Sequence, residues 1–252
     1  PSYVLSGAAM AGAGTDEELT TFLDKAVDIS PDHPGVVSKF VEHAKEIDVD
    51  AVARDGELVC WAVSEHVENA GVNSGDATIF IQPQRIFAET ARRVRKIGRQ
   101  IAKLLLITGV INIQVVAREN DVMVIECNLR ASRSFPFASK IFRVNFIDIA
   151  TRIIMDRPFP KVDISVFELD YVGVKAPQFS FTRLVGADPI LGVEMASTGE
   201  VGCIGNDFED AFLKALISVG YRLPIKSVLL STGPLDSKVA FLRSAKDLQR
   251  AG

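Results

Sequence analysis

Residues 111–134 read INIQVVARENDVMVIECNLRASRS. Two runs of alternating apolar residues, Ile111 to Ala117 and Val122 to Glu126, flank the polar Arg118-Glu119-Asn120-Asp121, the pattern of a tight β-hairpin. With a three-residue loop, Glu119 to Asp121, Arg118 faces Val122 and Gln114 faces Glu126. Opposed side chains on one face of such a pair lie about 4.5 to 5.5 Å apart at Cβ. Asn128, two residues beyond Glu126, points to the same face, so three oxygen-bearing side chains are expected to converge.

One carboxylate with two amide carbonyls is a hard-oxygen set suited to Mg²⁺ or Mn²⁺, which share their remaining positions with water and phosphate. Arg130 and Arg133 follow at once, and guanidinium forks match phosphate or carboxylate oxygens in pairs. The stretch therefore reads as half of a metal-nucleotide site. An ordinary exposed hairpin face with an arginine-rich loop has the same bare pattern, and the hairpin alone does not separate the two.

The 252 residues suffice for one large domain or two modest ones. Hydrophobic content of 48% against 24% charged, with a mildly positive mean hydropathy, describes a globular chain with a substantial interior. A net charge of −4 argues against a nucleic-acid binder driven by phosphate neutralisation. Cys60, Cys127 and Cys203 are far apart within apolar runs, so buried free thiols in a reducing compartment are expected. The histidines, His33, His43 and His66, show no zinc spacing with them and read as structural. No run of 18 apolar residues and no targeting leader is present, which predicts no membrane span. The chain begins at Pro1 and stops at Gly252 after a helix-like segment, so a fragment of something longer is expected.

Thr15 with Glu18 forms a capping box at the head of a helix. Val36 to Val41, Ile47 to Ala53 and Glu57 to Ser64 read as strands, the last two joined around Asp55-Gly56. Glu65 to Thr78 reads as a glycine-bearing loop whose Gly71 and Gly75 let backbone amides approach a phosphate, and whose Glu65, Glu68 and Asp76 need metal or polar partners if buried. A helix from Ala88 to Leu106 carries an apolar stripe opposite Arg92, Arg95, Lys96, Arg99 and Lys103, a face read as solvated. Asn145 to Met155 and Phe208 to Val219 are helical and Val172 to Ala176 is a strand. After Leu223-Pro224, Ser227 to Leu230 and Lys238 to Arg250 read as strand then helix.

The segments PSYVLSG, KEIDVDAV, EHVENAGVNSGD, NIQ, IECNLRASRSFPF and EMASTGEV, in this order and spacing, closely resemble the large subunit of carbamoyl phosphate synthetase. The match covers nearly the whole chain and favours the carboxy-terminal synthetase half. The stretch QFSFTRLVGADPILGVEMASTGEV looks most like the eukaryotic pyrimidine-pathway form, with the urea-cycle form as close competitor. The resemblance implies an α+β ATP-grasp fold, incomplete because its N-terminal subdomain lies outside the chain, over residues 1–222. Residues 223–252 would then open a methylglyoxal-synthase-like α/β regulatory domain with its first βα unit. The implied activity is ATP-dependent phosphorylation of carbamate to carbamoyl phosphate in pyrimidine biosynthesis, with the fragment alone inactive. The competing class is a binding module that keeps the fold without turnover.

Carried over by resemblance, Gln114, Glu126 and Asn128 fall on metal ligands, and Gln114 and Glu126 also on nucleotide-site positions. Arg130 and Arg133, with Asn128, fall on the phosphoryl-transfer positions. Glu46 matches the ribose-binding carboxylate, and Lys39, Phe40 and Val41 the segment bordering adenine. Gly71, Val72, Asn73 and Ser74 match the nucleotide loop, and Ser6 with Gly7 the small-residue phosphate loop. Implied cofactors are ATP and Mg²⁺ or Mn²⁺. Implied partners are carbamate, a glutaminase domain or subunit, the first synthetase half and further copies in a homo-oligomer, with no nucleic acid and no membrane. The implied location is the cytoplasm, or the mitochondrial matrix for the urea-cycle form. Three departures stand out: Asn73 where the family usually has His, Arg143 where it usually has Gly, suggesting a differently built turn, and basic ligands of the family that fall upstream of Pro1.

Overall fold

Strand β1 (Lys45–Arg54) alternates acidic and apolar residues, KEIDVDAVAR, and this period of two sorts its side chains onto two faces. The computed structural model describes residues 10–29, 35–162, 169–180, 186, 190–223, 226–233 and 235–251. The chain forms two units, Pro1–Val219 and Gly220–Gly252. In the first, β1 is joined by β2 (Glu57–Asn69), β3 (Ile79–Ile81), β4 (Gly109–Arg118), β5 (Asp121–Asn128), β6 (Val172–Gln178) and β7 (Gly199–Gly205). They make one seven-stranded sheet in the order β5-β4-β1-β2-β3-β6-β7, antiparallel at every pairing. Asp55 and Gly56, at φ 49° and 82°, form the tight β1–β2 turn that Asp-Gly predicts.

The apolar set of β1, Ile47, Val49, Ala51 and Ala53, packs with Val63, Ile111, Ile113 and Val115 under helix α2 (Ala88–Leu104). The opposite face is divided. At one end Val52, Cys60, Ala62, Ile79 and Ile81 are covered by α3 (Phe135–Phe142) and α4 (Phe146–Ile154) through Phe135, Ile141, Phe146 and Ile149. Truncating one of these buried phenylalanines to alanine costs about 3–5 kcal/mol. Gly173 is required here, since a Cβ would collide with Ile141. The remainder of that face stays polar, and it is where the candidate site lies. Helix α5 (Phe208–Ser218) covers Phe80, Val172, Val174 and Ala176 at the β6 side.

Helix α1 (Asp16–Ile29) starts as expected, with Thr15 Oγ1 accepting from the Glu18 amide at 3.2 Å and Glu18 Oε2 accepting from the Gly14 amide at 2.8 Å. Several boundaries differ from the sequence reading. Val36 to Val41 is not a strand: it pairs with no described residue and leaves Val36 and Val37 exposed. β2 runs on to Asn69, so Glu65, His66 and Glu68 belong to a strand, Glu65 and His66 buried where β3 pairs with them and Glu68 half-buried just beyond. Helix α2 stops at Leu104 because Leu106 takes a left-handed φ of 47°. Strand β3, with three residues, and helix α3, with eight, are too short for periodicity to reveal them, and β7, GEVGCIG, is masked by its three glycines.

In the second unit α6 (Leu235–Arg250) is helical, but Ser227 to Leu230 is not a strand, and Leu229 is almost fully exposed. The described residues give it no partner to pair with. No described helix is long and apolar enough to cross a membrane.

Candidate functional site

Two rungs of polar side chains cross the first three strands. Asp48 of β1 pairs with Gln114 of β4, which pairs with Glu126 of β5; one step along, Asp50, Asn112 and Asn128 form the second rung. The hairpin reaches this register differently from the sequence reading. Its turn has two residues, with Arg118 opposite Asp121 and Ala117 opposite Val122, and the extra residue is Ile125, bulged between Val124 and Glu126. Thr90 Oγ1 donates to the Glu119 carbonyl at 2.6 Å and holds the turn. Asn128 Nδ2 donates to Glu126 Oε1 at 2.7 Å, so these side chains share a face as expected.

The loop after β2 lies over the same face. Gln114 Nε2 donates to Ser74 Oγ at 3.0 Å, and the buried Lys175 Nζ, from β6, donates to the Ser74 carbonyl at 3.3 Å while pairing with Glu200 at 3.4 Å. Gly71, at φ 106°, brings its amide to 3.5 Å from Glu46 Oε2 and lies against the Phe40 ring. Residues 192–197 clamp the loop from outside. The Asn73 amide donates to the Gly192 carbonyl at 2.8 Å, Asn73 Nδ2 to the Val193 carbonyl at 3.0 Å, and Asn73 Oδ1 accepts from the Gly75 amide at 2.9 Å. Asp76 accepts from the amides of Ala196 and Ser197 at 2.7 and 2.8 Å. Glu65 and Glu68 also find backbone amides, those of Gln84 and Arg85 for Glu65 and that of Thr78 for Glu68.

The electrostatics follow from burial. Asp50 is pushed up to about 7, first by desolvation and then by Asp48, against hydrogen bonds from Ser132 and Asn112 and the charge of Lys175. Burial likewise raises Glu46, partly offset by His66. For His66 burial acts downward, but the hydrogen bond and charge of Asp48, 2.8 Å away, with Glu46 and Glu68, carry the net shift upward. Asp48 Oδ1 and His66 Nδ1 are buried without a hydrogen-bond partner among the described residues. Arg130 and Arg133 are exposed and pair with no carboxylate among the described residues.

The donor set fits a hard divalent cation. With the Gln114 and Asn128 NH₂ groups turned to Ser74, Glu126 and Asn112, their carbonyl oxygens take no hydrogen bond from a described residue and stand beside one carboxylate. Among the described residues no three His, Cys, Asp or Glu side chains form a metal cage, as expected of a set that is two-thirds amide.

Of the residues named from sequence, Glu46, Gly71, Asn73, Ser74, Gln114, Glu126 and Asn128 converge on this face, and Val72 packs half-buried behind the loop. Lys39 and Val41 lie in the unpaired segment before β1, Lys39 exposed; Ser6 and Gly7 fall outside the described residues. The reading from sequence overlooked Asp48, Asp50, Asn112, Ser132 and Lys175. Three had a visible signal: Asp48 and Asp50, two and four residues beyond Glu46 in KEIDVDAV, share its face, and a lone lysine in the strand VGVKAPQ must find partners if buried. The three cysteines are free, Cys60 buried and the others partly so.

Residues 1–162 match the family described as carbamoyl-phosphate synthase L chain, ATP binding domain. The chain is 54% identical over its whole length to the multifunctional protein pyr1-3 of Dictyostelium discoideum and 52% identical to pyrABCN of Emericella nidulans, covering 11% of each. It is 47% identical to the human mitochondrial carbamoyl-phosphate synthase [ammonia], again over its whole length and covering 17% of that protein. It thus spans between about a ninth and a sixth of these relatives. Among solved structures, a Campylobacter jejuni biotin carboxylase matches with a TM-score of 0.63 at 14% identity, over 84% of this chain and 54% of that one. N5-carboxyaminoimidazole ribonucleotide synthetase of Thermotoga maritima matches with 0.57 at 17%, over 81% and 57%. Both are ATP-grasp enzymes, and the mixed α+β architecture with its antiparallel sheet agrees with theirs. With the family match spanning well over half its residues, the chain belongs to the carbamoyl-phosphate synthase L chain, ATP binding domain family.

Proposed function

We propose that this chain supplies the phosphoryl-transfer wall of the second synthetase unit in a pyrimidine-pathway carbamoyl phosphate synthetase. The observation that carries the reading is the convergence of the Gln114–Glu126 pair, Asn128 and the loop of Gly71 to Ser74 on one polar sheet face. The pyrimidine-type relatives are the more similar ones, which favours that pathway over the urea cycle and the cytoplasm over the mitochondrion.

In this reading Gly71, Val72, Asn73 and Ser74 present backbone to ATP, with Lys39 and Val41 beside adenine, Glu46 on the ribose and Ser6 and Gly7 toward the phosphates. Gln114, Glu126 and Asn128 would hold Mg²⁺ or Mn²⁺. Such an ion, when bound, offsets phosphate charge. A carbamate oxygen attacks the γ-phosphorus, the new P–O bond forms as the bond to the bridging β–γ oxygen breaks, and ADP leaves. Arg130 and Arg133 offer forks to the oxygens of the transferring group and keep attack and departure in line. Lys175 holds the loop through the Ser74 carbonyl. No covalent enzyme intermediate is needed. The glutaminase and first synthetase half would supply carbamate, residues 223–252 would open the regulatory domain, and the whole would act as a homo-oligomer.

The test uses the longest natural polypeptide containing this chain. ADP formation with carbamate and ATP, and ATP formation from carbamoyl phosphate and ADP, are both expected. Loss of both would leave a binding module. Residues 1–252 alone, offering one wall of the site, should be inactive; micromolar ATP affinity by calorimetry would count against that.

A further inference from the structure

Asp50 accepts two hydrogen bonds at a single oxygen. Ser132 Oγ donates to Oδ1 at 2.6 Å and Asn112 Nδ2 donates to the same atom at 2.9 Å. Each donor leads to a different part of the site. The Asn112 Oδ1 accepts from Asn128 Nδ2 at 3.4 Å, and the Asn128 NH₂ also serves Glu126. Ser132 lies between Arg130 and Arg133, and its Oγ accepts from the Ser134 amide at 3.1 Å, where α3 begins. Past Asn128 the strand pairing ends. Among the described residues the Ser132 to Asp50 bond is the one hydrogen bond that fastens residues 129–133 to the sheet. The arginines themselves pair with no described carboxylate, so their positions depend on where this loop is held.

We propose that Asp50 is a positioning residue: through one carboxylate oxygen it sets the arginine-bearing loop and the oxygen-donor rung at a fixed distance from each other. The inference rests on the reading of the site given above. Asp50 is 2% exposed, so removing its carboxylate leaves two donors without their acceptor at a point closed to bulk water. Transfer of a phosphoryl group depends on alignment, and a displacement of about 1 Å can cost about 10²-fold in rate. Ground-state nucleotide binding uses the loop of Gly71 to Ser74 and depends on the tie far less. The expected signature is a fall in kcat without a matching change in the KM for ATP.

The experiment compares Ser132→Ala, Ser132→Thr, Asp50→Ala, Asp50→Asn and the double Asp50→Ala/Ser132→Ala in the full natural polypeptide, with kcat referred to folded enzyme. Ser132→Ala and Asp50→Ala should each lower kcat by about tenfold or more, with the ATP KM within about twofold. Ser132→Thr keeps the hydroxyl and Asp50→Asn keeps the acceptor oxygen, so both should restore most of the rate. The double variant should be no slower than the slower single one, because both break the same tie. If Asp50→Ala does not fold, the serine pair decides alone. An active wild type whose Ser132→Ala variant has normal kcat, or single effects that multiply, overturns the inference and leaves the reading of the site intact. A wild type inactive in both directions overturns that reading and the inference with it.

Discussion

Glu126 stands opposite Gln114 because Ile125 is an extra residue in its strand. With the two-residue turn alone, Ile125 would face Gln114 and the carboxylate would fall on the other side of the sheet. The bulge delivers a charge to the polar face beside Asn128. Glu126→Gln keeps the size and the hydrogen bond from Asn128 but removes the charge. Turnover should fall by at least about 10- to 100-fold, the loss typical even of outer-shell groups, with the melting temperature little changed. Arg133→Lys should also be costly, since one ammonium cannot reproduce a fork. Lys96→Ala, on the outer face of α2, should shift stability by no more than about 0.5 kcal/mol and spare activity. Normal turnover in Glu126→Gln, with loss in Lys96→Ala, would move the site elsewhere.

Arg143 closes α3 in the left-handed conformation, φ 54° and ψ 29°, its amide bonding back to the Lys140 carbonyl. The turn is therefore shaped as a glycine would shape it, contrary to the expectation of a different construction. A non-glycine residue there costs about 1–2 kcal/mol, set against a guanidinium 5.7 Å from the centre of the Tyr171 ring, worth about 0.5–1 kcal/mol. Arg143→Gly should then stabilise by about 0.5–1 kcal/mol, read from denaturant or thermal unfolding. A destabilised variant would show that the ring contact is the larger effect.

Both polar ends of the Asn73 side chain are engaged within the protein, at Val193 and Gly75. The residue acts on nucleotide through the loop it fixes. Asn73→Ala deletes two hydrogen bonds of about 0.5–1.5 kcal/mol each, so the ATP KM should rise about tenfold. Hydrogen exchange at the Gly75 and Asp76 amides should quicken in parallel. An unchanged KM with faster exchange would separate the loop from binding.

Legibility followed periodicity. The hairpin of β4 and β5, the Asp55-Gly56 turn, and the helices from Phe146 and Phe208 were readable because local pattern and tertiary role agree in them. The Gln114–Glu126 pair was anticipated through a three-residue loop, whereas the register comes from a bulge, and both routes add one residue before Glu126. Resemblance named Glu46 but not Asp50, whose role depends on Asn112 and Ser132, 62 and 82 residues away. Val36 to Val41 shows the opposite error. Its valines suit a strand, but strand propensity does not supply a pairing partner.

The buried Asp50 makes a signed prediction about stability. Its folded pKa lies near 7 against an ordinary value of 3.8, because burial and Asp48 disfavour the charged form. A group raised on folding contributes stability that is whole below the unfolded value and is lost as pH rises through the folded one. The wild type should therefore weaken between about pH 4 and pH 7 from this residue, and be level above. Asp50→Asn carries no such charge. Its melting temperature relative to wild type should climb across that window by several degrees and then hold, in chelator-treated buffer. The raised groups Glu46 and His66 lose stability with the same sign but are present in both proteins and cancel in the difference. A difference that stays constant from low to neutral pH would mean that Asp50 is ionised at little cost, with more water or cation about it than its burial implies.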